Sequence, residues 1–90
     1  MKIHLVGIGG IGVSALAQYY LSKGHQITGS DLFSSEITEV LEKKGVKIKI
    51  GPHKKENVPK GTDLMIYSPA VPSSNPELIQ AKIYRIKTQS

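Results

Sequence analysis

Residues 4–14 read HLVGIGGIGVS and place four glycines within six positions, directly after a short apolar run. Gly7, Gly9 and Gly12 have the spacing G-x-G-x-x-G, with a predicted strand before them and an amphipathic helix after them. In such a loop the first glycine allows a tight turn, the second lets backbone approach a pyrophosphate, and the third lets helix and strand pack closely. The N–H groups at the helix N-terminus favour a phosphate. The stretch therefore predicts a βα unit that binds a nucleotide diphosphate.

The rest of the chain alternates between strand patterns and helix patterns. Apolar residues at helical spacing predict a helix from Val13 to a stop at Lys23 and Gly24, and Asn75 followed by Pro76 predicts the start of a later one. Strands are predicted within 2–6, 25–31, 46–50, 62–68 and 84–88, and helices within 13–23, 34–45 and 75–83.

This alternation is typical of an α/β, Rossmann-like domain. It predicts a parallel five-stranded sheet of order 3-2-1-4-5 with helices on both faces, spanning 1–90 as a single domain. In that order the crossovers from the first and fourth strands leave in opposite directions. A crevice should therefore open between the glycine loop at 7–12 and the SPAVP segment at 68–72.

Composition excludes several classes of function. The chain has no cysteine, which removes disulfides, thiolate nucleophiles and cysteine zinc sites. It has no apolar run near the roughly 20 residues that span a membrane, so we expect a cytoplasmic protein without a membrane partner. The net charge of +5 comes mostly from lysines between Lys43 and Lys60. Because aromatic residues and arginines are not interleaved there, a solvated face is favoured over a nucleic-acid surface.

Asp31, in the segment GSDL at 29–32, lies about where dinucleotide-binding folds place the acid that binds ribose hydroxyls. The glycine loop and this acid alone would favour NAD as the ligand. A glycine-rich turn without a ligand, and a local turn role for Asp31, remain open at this point.

Several motifs together resemble one family. HLVGIGGIGVSALA, GSDL, KKGVKIKIGPH, the His53-x-x-x-Asn57 spacing, YSPAV and NPELIQAK occur in the same order as in the UDP-N-acetylmuramate:L-alanine ligases of the Mur ligase family. The resemblance spans essentially the whole chain. It implies the N-terminal one of three domains, which binds UDP-N-acetylmuramate rather than NAD.

The resemblance also implies what this sequence lacks. The full-length parent would be an ATP-dependent, amide-forming ligase of peptidoglycan synthesis that uses ATP and Mg²⁺ held by a central and a C-terminal domain. The present chain would be a fragment without those domains. We expect it to bind the UDP-sugar, with no catalytic residue, metal site or cofactor of its own.

Site residues follow from the resemblance in three groups. The diphosphate loop would be formed by Gly7, Gly9, Gly10, Ile11 and Gly12. The uridine side would be formed by Ser30, Asp31, His53 and Asn57. The opposite wall of the crevice would be formed by Ser68, Pro69 and Ala70. The sequence departs from the family twice. Pro52 separates Gly51 from His53, where the family usually runs Gly-His, and Pro69 removes an N–H donor.

Alternatives remain at this stage. The strongest rival is an NAD(P)-binding domain of a dehydrogenase; the others are the murein-peptide recycling ligase and a stand-alone nucleotide-sensing or interaction module. Individual residues also have simpler readings: His53 as a solvated side chain, Ser68 as the cap of a turn, and His4 as a hydrogen-bonded core residue.

Overall fold

Strand β1 (Lys2–Val6) is the centre of a five-stranded sheet in the computed structural model, which describes residues 1–90. The other strands are β2 (Gln26–Asp31), β3 (Lys47–Ile50), β4 (Leu64–Tyr67) and β5 (Lys87–Gln89). All neighbours pair in parallel in the order β3-β2-β1-β4-β5, which confirms the predicted topology. Strand β3, in which Lys47 and Lys49 alternate with isoleucines, is an edge strand, as a strand with one charged face predicts.

Three helices connect these strands; the first begins at Ile11, two residues before the predicted Val13, and the other two begin at side-chain caps. They are α1 (Ile11–Ser22), α2 (Glu36–Lys43) and α3 (Pro76–Ile83), with a short 3₁₀ turn at Lys55–Asn57. Ser35 caps α2 in a reciprocal capping box, and Asn75 caps α3 through its side-chain oxygen. Pro76 holds the first position of α3, as predicted. None of these helices has the length and apolar character needed to cross a membrane.

Alternation along β1 divides the core between the two faces of the sheet. Ile3 and Leu5 point toward α1 and α2 and join the larger apolar cluster, whereas Val6 belongs to a smaller cluster with residues of α3. Leu41 of α2 is fully buried in the larger cluster, and Leu78 of α3 is buried in the smaller one. Burial of an aliphatic side chain of this size contributes about 2 kcal/mol. Both faces are therefore covered, as a parallel sheet requires.

Of the two roles predicted for Gly7 and Gly12 in the fold, the structure confirms the first and not the second. Gly7 has a φ of +77°, so the first glycine of the loop makes the tight turn as predicted. A Cβ on Gly12 would meet no atom within 4 Å, so the prediction that Gly12 permits close packing of helix and strand is wrong. The close approach occurs at Gly29 in β2, where an added Cβ would lie 2.9 Å from the Cβ of Ile8.

Candidate functional site

A cleft of about 650 Å³ opens at the carboxyl ends of the strands, between the loops that follow β1 and β4. The glycine loop forms one wall, the segment after β2 forms the mouth, and the loop after β4 forms the opposite wall. We call it the main cleft; it is lined by Gly7, Gly9, Gly10, Asp31, Leu32, Phe33, Ser34, Ser35, His53, Ser68, Ala70, Val71, Pro72 and Asn75. The crevice predicted from the strand order is therefore confirmed.

The N–H groups of the glycine loop are only partly free. Gly9 donates its N–H to Asp31 Oδ2 at 2.8 Å, and Gly10 donates to the carbonyl of Gly7 at 3.0 Å. The first-turn N–H groups of α1, on Ile11, Gly12 and Val13, have no acceptor in the chain, and no side chain caps this helix. The unpaired donors of this segment therefore begin at Ile11, and contact of Gly9 and Gly10 with a diphosphate stays a prediction.

Asp31 connects the end of β2 to the glycine loop. Its Oδ2 accepts from Gly9, and the Ser30 carbonyl accepts from the N–H groups of Gly7 and Ile8 at 2.9 and 3.0 Å. The carboxylate also lines the main cleft. The local role considered for Asp31 is thus present, and a contact with ribose remains a prediction.

A buried carboxylate, Glu77 of α3, gathers four donors beneath the main cleft. Its Oε1 accepts from His4 Nε2 and from Ser30 Oγ, each at 2.7 Å. Its Oε2 accepts from His53 Nδ1 at 2.6 Å and from Asn57 Nδ2 at 3.1 Å. We call these five residues the Glu77 cluster. The Glu77 side chain is fully buried, and no buried side-chain polar atom in the chain lacks a partner.

These contacts keep Glu77 ionised. Burial alone raises the pKa of a carboxyl group because it disfavours the charged form. Here the hydrogen bonds from His4, Asn57, Ser30 and His53 together outweigh burial and lower the pKa of Glu77 from 4.5 to about 2. A carboxylate that accepts this many hydrogen bonds carries its charge at neutral pH.

The register of the sheet explains why the cluster forms. His4 pairs with Thr28 across β1 and β2, and both point toward α3, as does Ser30 two residues further along β2. His4 Nδ1 lies 2.8 Å from Thr28 Oγ1. Buried polar side chains need hydrogen-bond partners, and Glu77 supplies one for both His4 and Ser30.

Sequence reasoning missed Glu77, because a glutamate in the first turn of a helix is ordinarily a surface residue. The polar residues His4, Thr28 and Ser30, which share one face of two neighbouring predicted strands, were the signal that a buried partner was needed. His4 is fully buried and hydrogen-bonded, which confirms its interpretation as a core residue.

The residues predicted for the uridine side divide into two layers. Asp31 and His53 line the main cleft, and Pro52 does not keep His53 away from it. Ser30 is fully buried and Asn57 is half-buried, and both direct their side chains to Glu77 behind the cleft. Of these four residues, Asp31 and His53 line the main cleft, and their contact with a ligand stays a prediction.

The predicted opposite wall is also divided. Ser68 and Ala70 line the main cleft, while Pro69 lies in an adjoining depression beside Ile11 and Gly12. The two hollows meet at Gly10 and at Ser68, whose Oγ accepts the Ala70 N–H at 3.2 Å. The turn-capping role considered for Ser68 is thus present.

The structure contains no group of three or more His, Cys, Asp or Glu side chains arranged to bind a metal ion. The arrangement instead offers a carboxylate and an imidazole in the main cleft and unpaired backbone donors in the adjoining depression, which suits an anionic ligand that carries hydroxyl groups.

Comparisons with known proteins agree with this geometry. The model described as the Mur ligase family, catalytic domain, matches residues 2–90. UDP-N-acetylmuramate–L-alanine ligase from Campylobacter jejuni is 53% identical over 89 residues, which is 99% of this chain and 20% of the relative. The chain thus spans about one fifth of the length of the curated relatives it matches.

Solved structures give the same relationship. UDP-N-acetylmuramate-alanine ligase from Thermotoga maritima superposes with a TM-score of 0.90 at 43% identity, covering 98% of this chain and 20% of that one. A murein peptide ligase from Psychrobacter arcticus superposes with a TM-score of 0.89 at 26% identity, covering 100% and 19%. The glycine loop, the strand order and the matched family model agree, and the chain belongs to the Mur ligase family.

Proposed function

We propose that this chain is the UDP-N-acetylmuramate-binding, N-terminal domain of a UDP-N-acetylmuramate:L-alanine ligase. The observation that carries the proposal is the row of unpaired donors on Ile11, Gly12 and Val13, residues that line the depression adjoining the main cleft. A helix N-terminus with free N–H groups and a positive dipole end favours a diphosphate. The substrate named for the Campylobacter jejuni and Thermotoga maritima relatives carries that group.

The chain's own residues would bind and orient the substrate. The diphosphate would lie against Ile11, Gly12 and Val13, where the open space around Gly12 leaves room for an approaching oxygen. Gly7, Gly9 and Gly10 would form the smooth backbone surface of the wall. A side chain at any of these positions would narrow the approach to the diphosphate donors.

The nucleoside would lie toward the mouth of the main cleft. Asp31 and His53 would contact its hydroxyl and base groups, with Leu32 and Phe33 beside them. Phe33 is 76% exposed, so its ring face is available to a base. Ser68 and Ala70 would close the other side, and the buried Ser30 and Asn57 would act only by supporting His53 through Glu77.

Catalysis would belong to the full-length parent, working in the cytoplasm. ATP would transfer its γ-phosphoryl group to the lactyl carboxylate, releasing ADP, and the amine of L-alanine would then attack the acyl phosphate and displace inorganic phosphate. The chain contains no G-T-x-G-K-T loop, so ATP and Mg²⁺ would be held by other domains of the parent. The role of these 90 residues would be to bind the nucleotide end of the substrate and hold it in place.

Two rivals have specific support. The G-x-G-x-x-G spacing together with Asp31 would equally suit NAD(P), which makes a dehydrogenase domain the first alternative. The murein peptide ligase from Psychrobacter arcticus shares the fold over the full chain, but at 26% identity against 43% for the alanine ligase from Thermotoga maritima. These identities favour the alanine-adding enzyme.

Calorimetric titration of the chain with UDP-N-acetylmuramate and, separately, with NAD tests the proposal. We expect heat of binding with the UDP-sugar, competition by UDP alone, and none with NAD. Gly10→Val should abolish the UDP-sugar signal while circular dichroism remains that of a folded domain, because the position has φ −69° and the nearest atom to an added Cβ, the Gly7 carbonyl oxygen, is 3.3 Å away. Binding of NAD without binding of the UDP-sugar would reverse the assignment.

A further inference from the structure

His53 is the member of the Glu77 cluster that also lines the main cleft. Its Nδ1 is committed to Glu77 Oε2 at 2.6 Å, whereas its Nε2 makes no hydrogen bond in the chain. Because no buried side-chain polar atom is left unpaired, this Nε2 is accessible to solvent. The ring thus has one nitrogen bonded in the interior and one nitrogen that is unpaired and exposed to solvent, in a residue that lines the cleft.

We propose that Glu77 is a positioning residue that holds His53 with its proton on Nδ1, so that Nε2 is the atom that contacts the ligand. Glu77 itself is fully buried and does not line the cleft, so it acts through His53. That Glu77 holds the proton of His53 on Nδ1 is inferred from the contacts within this chain. That Nε2 contacts the ligand rests, in addition, on the proposed function.

The chemistry of the cluster decides the tautomer. An ionised carboxylate only accepts hydrogen bonds, so the ring nitrogen facing it must carry a proton. Ser30 Oγ lies 3.4 Å from the same Nδ1, and Asn57 Nδ2 shares Oε2, so neighbours limit rotation of the ring. A carboxylate behind an imidazole commonly fixes which nitrogen faces the functional site.

The position of Glu77 is itself held from several sides. Asn75 Oδ1 accepts the Glu77 N–H at 2.9 Å, and His4 and Ser30 hold Oε1. The carboxylate therefore links the α3 start, β1, β2 and the 3₁₀ turn at one point beneath the cleft. Ring orientation at His53 is consequently set by the packed fold rather than by its own loop.

The first test is nitrogen NMR of His53 in the free, unsubstituted chain at neutral pH. We expect a protonated, pyrrole-type Nδ1 and a downfield Nδ1 proton, as a short charge-assisted hydrogen bond gives. In Glu77→Gln that proton should move upfield or be lost to exchange, whereas Glu42→Gln, an equal charge change on an exposed residue, should leave it in place. A neutral ring protonated on Nε2 in the unsubstituted chain would overturn the proposal.

The second test is a double-mutant cycle on affinity for UDP-N-acetylmuramate. His53→Asn keeps a donor near the Nδ1 position but has no atom at Nε2, so the chain should fold and the dissociation constant should rise about tenfold. Glu77→Gln should give a similar rise, and the double variant should be no weaker than His53→Asn. Additive losses would mean that Glu77 acts only on stability and would overturn the positioning role.

The two tests separate this inference from the proposed function. If the unsubstituted chain has the expected His53 proton yet binds no UDP-sugar, the proposed function fails and the fixed ring stands. If the chain binds the UDP-sugar but His53→Asn binds as tightly as the unsubstituted chain, the proposed function stands and the role of Nε2 is refuted.

Discussion

The carboxylate of Asp31 accepts the backbone N–H of Gly9 at 2.8 Å, although the two residues lie 22 positions apart in the chain. The bond ties the glycine loop to the end of β2, so it joins the wall of the main cleft to its mouth. It also explains the glycine, because a Cβ at position 9 would lie 2.8 Å from the same Oδ2.

Removing that acceptor should destabilise the domain. Asp31→Ala leaves the Gly9 N–H without its partner, and we expect a loss of about 1–2 kcal/mol in the free energy of unfolding in urea. Asp31→Asn retains an oxygen that can accept and should lose less. Asp63→Ala is a matched control, because Asp63 accepts the Lys2 N–H at an exposed site. Equal losses in Asp31→Ala and Asp63→Ala would contradict the account.

The two glycines with different surroundings should respond oppositely to alanine. Gly29→Ala drives a methyl group into Ile8, and we expect it to cost about 1–3 kcal/mol of stability. Gly12→Ala meets open space in α1 and should leave stability unchanged or raise it by up to about 1 kcal/mol. Thermal unfolding of both variants checks this. If the Gly29→Ala variant is as stable as the unsubstituted chain, Ile8 can move aside and the expected clash is absent.

Acid should weaken the fold through Glu77. Its pKa is lowered to about 2 in the folded chain from an ordinary 4.5, so the unfolded chain takes up the proton first as pH falls. The stabilisation, about 3 kcal/mol, is complete above pH ~4.5 and is lost progressively as pH falls toward ~2. Urea unfolding between pH 7 and pH 2.5 measures it.

The variants that isolate this effect are Glu77→Gln and Glu42→Gln. The first should be less stable at neutral pH, and its free energy of unfolding should depend much less on pH, because no carboxyl group remains at the cluster. The second replaces an exposed glutamate and should keep the dependence of the unsubstituted chain. A curve for Glu77→Gln parallel to that of the unsubstituted chain would exclude Glu77 as the source.

Much of the fold was predictable because its signals are local. The apolar run, the turn at Gly7 and the cap at Asn75 each act within a few residues, and alternation of strands and helices then leaves few topologies. The strand order in turn placed the cleft correctly. These steps need no knowledge of contacts between distant parts of the chain.

The parts that were missed depend on such contacts. Whether Gly9 has a free N–H depends on Asp31, and whether His53 is solvated depends on Glu77, each more than 20 residues away. Gly29 is required only because Ile8 folds back over it. Side-chain contacts of this kind are set by strand register and helix packing, which periodicity alone does not specify.

Ligand-induced shifts of backbone amides give the most direct test of the central claim, that the α1 N-terminus binds the diphosphate of UDP-N-acetylmuramate. On titration of the nitrogen-15-labelled chain with the UDP-sugar, we expect the largest changes at Ile11, Gly12 and Val13, with further changes at Asp31 and His53. Shifts at those positions with NAD but not with the UDP-sugar, or UDP-sugar shifts confined to other surfaces, would contradict it.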